Sequence, residues 1–438
     1  MIAGSEGSQR SQRSERRLLT GNQAAAWGAR LGGVDYVPAF PITPQTEIIE
    51  ALAAWFDDGS LMGRLTMFES EHSMMTAAGT AAAAGARTFT ATSSQGLLYS
   101  LEMMYAVAGW RVPFVMVNVS RGLASPITLE SDHNDVLAAR DTGFLQIHCA
   151  TAQEVLDAVL IAFRWSEDRR VRLPVIVNQD GFSLSFTREP VDIPNEDAVR
   201  AFLPTRGDLD ETLSGPSPQS LGVAVLDGST YSYFRYQMER AAQGALPVLL
   251  DIEKEFESMT GRRFLPIDEY RMHDAEMAIV VVGSLGTQAM VAVDEMRAEG
   301  VRVGLVRPRV LRPFPRNALA LTLGRMRGVA VVDQDLSPGF GGILHGEIAA
   351  ALYARPEPRP SLTSYIGGLG GRFVSVTEFK RIVDETVVAS ITGHVPPPRL
   401  LFTDEEARSI RMLQQIADDA PQYELGAPFA SGLEGDRA

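Results

Sequence analysis

The sequence predicts an α/β protein, a doubly wound parallel sheet bearing a site at its strand ends, followed by a second, smaller α/β unit. Three observations predict it. Short apolar runs alternate with helix-periodic segments through the first half of the chain. One run, Val112 to Val119, is almost wholly apolar, as a strand buried on both faces requires. After a weakly patterned Gly/Ser/Pro-rich stretch, roughly 207–230, the alternation resumes. In such a sheet the ligand site lies beyond the carboxyl ends of the strands.

Each element has a local reason. Gly21 to Gly32 is an Ala-rich helix entered after Thr20 and closed by Gly32-Gly33. Val34 to Val37 is a strand feeding the loop Ala39-Phe-Pro-Ile-Thr-Pro44. Prolines 38, 41 and 44 fix φ and restrict their predecessors, so this stretch is expected to be neither helix nor central strand. Thr46 to Phe56 is a helix, Arg64 to Phe68 a strand, and His72 to Ala84 a helix of small residues stopped at Gly85. Thr88 to Ala91 is a strand ending at Thr92-Ser-Ser-Gln-Gly96, with a helix from Leu97 to Gly109 after it. Ala152 to Glu167 and Pro174 to Asn178 continue the rhythm.

The second unit reads as a helix over Tyr231 to Gly244, strands at Met277 to Val282, Val303 to Val306 and Gly328 to Val332, and a helix at Ala289 to Glu299. Arg312-Pro-Phe-Pro315 and Pro338-Gly-Phe-Gly-Gly342 are loops. Beyond Val395-Pro-Pro-Pro398 lies an acidic tail with one amphipathic stretch, Glu405 to Ile416. The expected division is a disordered lead-in at 1–17, a first domain with its linker at 18–258, a second at 259–393, and a partner-contacting tail at 394–438.

Composition bounds the function. A chain of 438 residues is too long for one core. A formal net charge of −14 argues against nucleic-acid or anionic-membrane partners, which call for a basic face. The single cysteine, Cys149, cannot form an intramolecular disulfide or hold an iron–sulfur cluster or a thiolate zinc site, so any cluster sits on another subunit. No uncharged apolar run is long enough to span a membrane. The Ser/Arg/Gly-rich start lacks the apolar segment of a secretory signal, and a cytoplasmic location is expected.

Several residues carry chemistry. Thr43 is a free hydroxyl between two prolines, in a loop suited to holding a small ligand or simply to joining strand and helix. Glu69 and Glu71 lead the small-residue helix, where the pair would also favour a helix N-terminus electrostatically. Arg121 follows the buried strand, and its planar fork suits bidentate carboxylate recognition as well as a surface ion pair. Gln95 and Gly96 open a helix close to the same strand ends. His133 fits a proton relay but reads first as a structural histidine capping the next helix, and Arg140 with Asp141 reads as a domain-interface ion pair. Gly283 to Thr287 has the wrong spacing for a dinucleotide fingerprint and reads as a strand–helix turn. His345 and Glu347 lack metal-ligand partners and read as structural, and no metal ligands are assigned to the chain.

Taken together, Thr20-Gly-Asn-Gln-Ala24, Phe40-Pro-Ile-Thr-Pro44, Glu69-Ser-Glu-His72, Thr92-Ser-Ser-Gln-Gly96, Ser131-Asp-His-Asn-Asp135, Ala139-Arg-Asp-Thr-Gly143, Asp180-Gly181, Phe234-Arg-Tyr-Gln237, Leu311-Arg-Pro-Phe-Pro315 and Gly367-Gly-Leu-Gly-Gly371 stand in a specific order. Over about Leu18 to Arg372 the chain resembles the alpha subunit of the 2-oxoacid:ferredoxin oxidoreductases, the pyruvate synthase family. The resemblance implies a first domain that is the pyrimidine-binding half of a thiamine diphosphate site, and a second like the C-terminal domain of transketolases. It implies Glu71 as the carboxyl beside the aminopyrimidine, with a raised pKa, and Arg121 and Thr43 as groups orienting the substrate. Pro41 matches a residue lining the pyrimidine pocket, with Gln95 and Gly96 nearby.

The implied activity is oxidative decarboxylation of a 2-oxoacid with coenzyme A to an acyl-CoA, carbon dioxide and a reduced acceptor. The implied partners are a beta subunit holding the diphosphate and Mg²⁺, a gamma subunit, subunits with ferredoxin-type [4Fe-4S] clusters, and in some relatives a flavin subunit serving NAD. Two other classes fit the same residues: a cluster-independent enzyme like transketolase or a dehydrogenase E1, and a non-catalytic scaffold. Departures from the pyruvate pattern set one further expectation. Ser120-Arg121-Gly122 stands where Asn-Arg-Ala is common, Glu130-Ser131 where Trp-Asn precedes Asp-His, and Phe40 where tyrosine is usual. Smaller flanking side chains predict a 2-oxoacid larger than pyruvate, such as the aromatic phenylglyoxylate.

Overall fold

The computed structural model describes residues 15–203, 213 and 220–416. The chain divides into two compact units, one running to Pro266 and taking back Arg309–Pro315, the other formed by Ile267–Pro308 and the chain from Arg316 on.

The first unit contains, in order, β1 (Glu15–Thr20), α1 (Gly21–Gly32), β2 (Tyr36–Ala39), α2 (Thr46–Asp57), β3 (Arg64–Met67), α3 (Glu71–Ala83), β4 (Phe89–Thr92), α4 (Ser94–Tyr99), α5 (Leu101–Trp110), β5 (Val115–Ser120), α6 (Asn134–Ala138), β6 (Leu145–His148), α7 (Ala152–Ser166), β7 (Val175–Asp180), β8 (Arg188–Ile193), α8 (Glu196–Phe202) and α9 (Gly228–Thr260). Its main sheet runs β6-β7-β5-β4, all parallel, with β12 (Val310–Arg312) antiparallel on β6. Every residue of β4, β5, β6 and β7 is buried, as the apolar run of β5 predicts for a sheet covered on both faces.

β2 and β3 pair in parallel and lie beside β4, bridged at Tyr36 and Thr88. Pro38 therefore does lie in a strand between neighbours, contrary to the expectation drawn from its ring. The missing N–H has a visible effect. The ladder to β4 stops after the first bridge, and the Thr90 hydroxyl donates instead to the Pro38 carbonyl at 2.7 Å. In chain order β2 leads outward to β3, and the chain then returns to β4 on the other side of β2. The switch point falls between β2 and β4, so the loops after these two strands flank a crevice.

Close helix packing explains the small residues. A Cβ on Gly28 would lie 2.7 Å from that of Val159, and one on Gly32 2.7 Å from the Phe163 ring, so α1 presses directly onto α7. α3 approaches α5 in the same way, where a Cβ on Gly79 would lie 2.4 Å from Val107. Thr20 and Gln23 form the capping box of α1, and Gly33 closes it at φ 63.

Other expectations need correction. Residues 15–17 are not a disordered lead-in but belong to β1, which pairs antiparallel with β8, while 1–14 lie outside the described residues. The first β-strand feeding the Pro loop spans 36–39 rather than 34–37. The helix expected over 97–109 begins at Ser94 and breaks at Ser100, giving α4 and α5. α9 is 33 residues long, running past both Gly244 and Pro247, because Val248, Leu249, Ile252 and Phe256 continue its buried face. Half of the expected linker, 207–212 and 214–219, falls outside the described residues.

The second unit contains β9 (Ile267–Tyr270), β10 (Met277–Val280), α10 (Leu285–Ala298), β11 (Val303–Pro308), α11 (Arg316–Leu323), β13 (Gly328–Asp333), α12 (Ile343–Tyr353), β14 (Ser361–Ile366), α13 (Val376–Thr392), β15 (Arg399–Leu400) and α14 (Asp404–Ile416). Its sheet runs β15-β14-β13-β10-β11-β9, parallel except for β9. Ile279, Leu305, Val332, Val293, Phe379 and Ile382 form its core between the sheet, α10 and α13. Gly283, at φ 71, makes the strand–helix turn that its spacing predicts. Among the described residues no helix is long and apolar enough to cross a membrane.

Candidate active site

The C-terminal ends of β2, β3, β4 and β5 bring the sequence's chemical residues together. The loop after β2 is held at both ends. Gln45 Nε2 donates to the Phe40 carbonyl at 2.9 Å, and Asn22 Nδ2 to the Pro44 carbonyl at 2.9 Å. Pro41 and Thr43 stand exposed between these anchors, and the Thr43 hydroxyl makes no hydrogen bond among the described residues.

Glu71 opens α3, with Ser70 as the cap whose hydroxyl accepts from Ser73 N. Glu69 is spent locally, accepting from the Ser73 hydroxyl at 2.6 Å. The second acid is different. Glu71 is only 5% exposed and has no ion-pair partner among the described residues. Burial pushes its carboxyl above the usual range, opposed by its own N–H. It packs on backbone, since a Cβ on Gly96 would lie 2.4 Å from Glu71 Oε1 and 2.7 Å from Thr92 Oγ1. Glycine at 96 is therefore a condition for the carboxyl's position.

Arg121 lies buried at the end of β5. Its Nη1 donates to the Thr43 carbonyl at 2.7 Å and its Nη2 to Gln95 Oε1 at 2.6 Å, while Nε has no partner among the described residues. Burial pulls its pKa down and the charge of Asp135 raises it. Because Gln95 Oε1 receives Arg121, its Nε2 is the free donor, buried and without a partner. Thr92 Oγ1 and Ser93 Oγ are buried and unpartnered too. Four such atoms on two adjacent strand ends would each cost about 1–3 kcal/mol if left unpaired. Such a set is suited to receiving a polar ligand. A thiamine coenzyme fits this set, because an aminopyrimidine needs one carboxyl partner, further polar partners and a close-packed wall.

Over residues 27–250 the chain matches the family described as pyruvate flavodoxin/ferredoxin oxidoreductase, thiamine diphosphate-binding, and over 275–379 the pyruvate:ferredoxin oxidoreductase core domain II. The chain is an alpha subunit of the 2-oxoacid:ferredoxin oxidoreductase family. It is 40% identical over 370 residues to the pyruvate synthase subunit PorA of Methanothermobacter thermautotrophicus, covering 84% of this chain and 95% of that one. To the ketoisovalerate oxidoreductase subunit VorA of Pyrococcus abyssi it is 39% identical over 371 residues, covering 84% and 93%. In fold it is similar to the 2-oxoglutarate:ferredoxin oxidoreductase from Magnetococcus marinus (TM-score 0.66, 18% identity, 85% of this chain and 66% of that one). A split-gene transketolase is also similar in fold (TM-score 0.50, 14% identity, 83% and 97%). The protein is thus an oxidoreductase subunit of a multi-subunit complex with thiamine diphosphate chemistry.

One expectation about this alpha subunit's polar residues is corrected, and one ion pair is present but weak. His133 sits at the N-terminus of α6 but makes no side-chain cap; its Nε2 pairs with Asp180 at 2.7 Å, both buried. Arg140 and Asp141 approach only to 3.9 Å, with Asp141 largely exposed, a spacing that contributes little. Sequence reasoning also missed Asp135, whose carboxylate ties β4 to β5. Its only signal was its place in the Ser131–Asp135 match.

Proposed function

We propose that this alpha subunit supplies the aminopyrimidine half of a thiamine diphosphate site, with Glu71 as the coenzyme's carboxyl partner. Pro41, Gln95 and Gly96 line the pocket, and Arg121 and Thr43 orient a 2-oxoacid. The carrying observation is a buried carboxyl with no ion-pair partner among the described residues, together with four polar atoms on neighbouring strand ends that lack partners among those residues. When bound, the coenzyme supplies the carbanion chemistry that decarboxylation of a 2-oxoacid requires. A Glu71 carboxyl raised by burial keeps its proton to higher pH than a free carboxyl does, as suits a ring-nitrogen partner. Arg121, pinned by Thr43 and Gln95, offers its charge to the substrate carboxylate without reorganising.

Coenzyme A as acyl acceptor, and ferredoxin or a flavin subunit's NAD as electron acceptor, complete the proposed reaction. One cysteine cannot ligate a cluster, so clusters belong to partner subunits, with a beta subunit holding the diphosphate and Mg²⁺ and a gamma subunit completing the complex. For the substrate we propose a 2-oxoacid larger than pyruvate, with phenylglyoxylate as the test compound. Relatives at 40% and 39% identity are named for pyruvate and for ketoisovalerate, so similarity does not choose. One of the three departures, Ser120-Arg121-Gly122, adds no room at either changed position. The Ser120 hydroxyl turns toward Asp132 and Asp135, and Thr128 occupies the space a Cβ on Gly122 would need. The Glu130–Ser131 replacement of a bulky indole carries the larger-substrate reading.

Glu71→Gln in the assembled complex is expected to lower turnover by about a thousandfold, roughly 4 kcal/mol of barrier, with the complex intact. Unchanged turnover would eliminate the coenzyme role. Comparing kcat/KM for pyruvate and phenylglyoxylate tests the substrate, and a pyruvate preference of about tenfold, roughly 1.4 kcal/mol, rejects the larger acid.

A further inference from the structure

Asp135 is the most heavily engaged side chain near the site, yet it faces neither pocket nor solvent. It is fully buried. Its Oδ2 accepts from the N–H of Ser94 at 3.0 Å, from Asn118 Nδ2 at 3.1 Å and from the N–H of Arg121 at 3.2 Å. Its Oδ1 accepts from the Ser120 hydroxyl at 2.6 Å and from the N–H of Val136 at 2.6 Å. Five donors converge on one carboxyl, and they come from the ends of β4 and β5 and the start of α6.

These bonds close a ring. Asp135 holds the backbone of Ser94, whose hydroxyl donates to Gln95 Oε1 at 2.7 Å. The same Gln95 oxygen receives Arg121 Nη2 at 2.6 Å, and the Arg121 N–H returns to Asp135. Both ends of the Arg121 residue, backbone and guanidinium, are thereby referred to one carboxyl. Ser94 also stands at φ 49, a left-handed conformation costly for a non-glycine residue and held here by those bonds.

We infer that Asp135 is a positioning residue for substrate recognition: through Ser94, Gln95 and its own bond to the Arg121 backbone it fixes the guanidinium at the pocket wall. This rests on the reading of Arg121 as the substrate's carboxylate partner. The chemistry demands a carboxylate. An amide of equal size accepts on one oxygen only, so an Asn at 135 would turn an NH₂ toward either the Oδ1 or the Oδ2 set of donors. Glu71, the coenzyme's carboxyl partner, stands outside the ring on α3, while Gln95 belongs to both, so coenzyme binding is expected to suffer less than substrate binding.

The test uses the assembled complex with Asp135→Asn, read by KM for the 2-oxoacid, kcat, and thiamine diphosphate affinity by calorimetry. The expected result is a KM rise of about tenfold or more with a clearly smaller loss of coenzyme affinity, because bonds that converge on the carboxylate are lost. An unchanged KM, or a parallel loss of coenzyme affinity and turnover, overturns the inference, since a merely structural residue lowers stability or active fraction without selecting the substrate. Arg121→Gln separates the two levels. If it leaves KM unchanged, the assignment of Arg121 fails. If it raises KM while Asp135→Asn does not, only the positioning role fails. Should Asp135→Asn not assemble, Ser94→Ala decides: it removes one link of the ring and is expected to raise KM by about threefold, and no rise overturns the inference.

Discussion

Glu71 in the first unit and Asp333 in the second begin as the same object. Each is a buried carboxyl at the C-terminal edge of parallel strands, and each is pushed up by burial, Asp333 further by neighbouring Asp335. Each also packs on a glycine: a Cβ on Gly342 would lie 2.1 Å from Asp333 Oδ2, as one on Gly96 would lie 2.4 Å from Glu71 Oε1. Their partners differ. Asp333 accepts from the N–H of Leu344 at 2.7 Å and of His345, and Asp335 from the N–H of Ile343, so the two acids cap the start of α12. Glu71 begins its helix instead of capping it, and Ser70 takes the capping work. A buried acid thus becomes available for chemistry when a neighbour relieves it of the helix terminus.

The sharpest way to break this contrast is at the glycines. Gly96→Ala is expected to lower coenzyme binding and turnover by about a hundredfold or more, about 2.7 kcal/mol, because the new methyl displaces the Glu71 carboxyl. Steady-state rates of the assembled complex check it, and near-normal rates would mean the carboxyl needs no fixed place. Asp333→Ala is expected to act on stability alone. Orphaning the α12 N–H groups should cost roughly 1–3 kcal/mol in denaturant melts while turnover per intact complex holds.

The pH dependence of stability carries a smaller signal with a definite sign. Glu71's folded-state pKa is raised, so its stabilising contribution is full below the ordinary carboxylate value of 4.5 and is lost as pH rises through the folded value. The melting temperature of the parent minus that of Glu71→Gln should therefore fall between acid and neutral pH; a rise would reveal an ion pair instead.

The smallest effect expected is at α14. Glu406 binds Arg372 at 2.7 Å and 2.8 Å, and that guanidinium holds its carboxyl down to about 2. This contribution is present above 4.5 and lost as pH falls toward about 2. Arg372→Ala should raise hydrogen exchange in the first turns of α14 at neutral pH, leaving the core of the unit protected.

Local rules made much of this legible. Thr20, Gln23 and Gly33 fix the bounds of α1 within the residues that flank them, and the apolar run of β5 announces a strand covered on both faces. Glu71 was legible as the leading acid of a small-residue helix, with its coenzyme role coming from the resemblance. Where a distant partner supplies the compensation, local rules misled. Pro38 enters a strand because Thr90 answers its carbonyl, β1 forms because β8 pairs with it, and α9 passes Pro247 on the strength of its buried face.

By itself the chain's sequence determined the helices and strands whose signals are local, the acids that lead α3, and that no cluster could be held by one thiol. Those outcomes depend on neighbours a few residues away or on composition. Only the tertiary structure decided that Gly96 walls in Glu71, that Gln95 and the Thr43 carbonyl grip Arg121, and that Asp135 refers two strand ends to one carboxyl. These contacts join residues 14 to 78 positions apart, for example Arg121 with Asp135 and with Thr43. Hydrogen bonds act over about 3 Å, so their partners exist only once the sheet has brought the strand ends side by side.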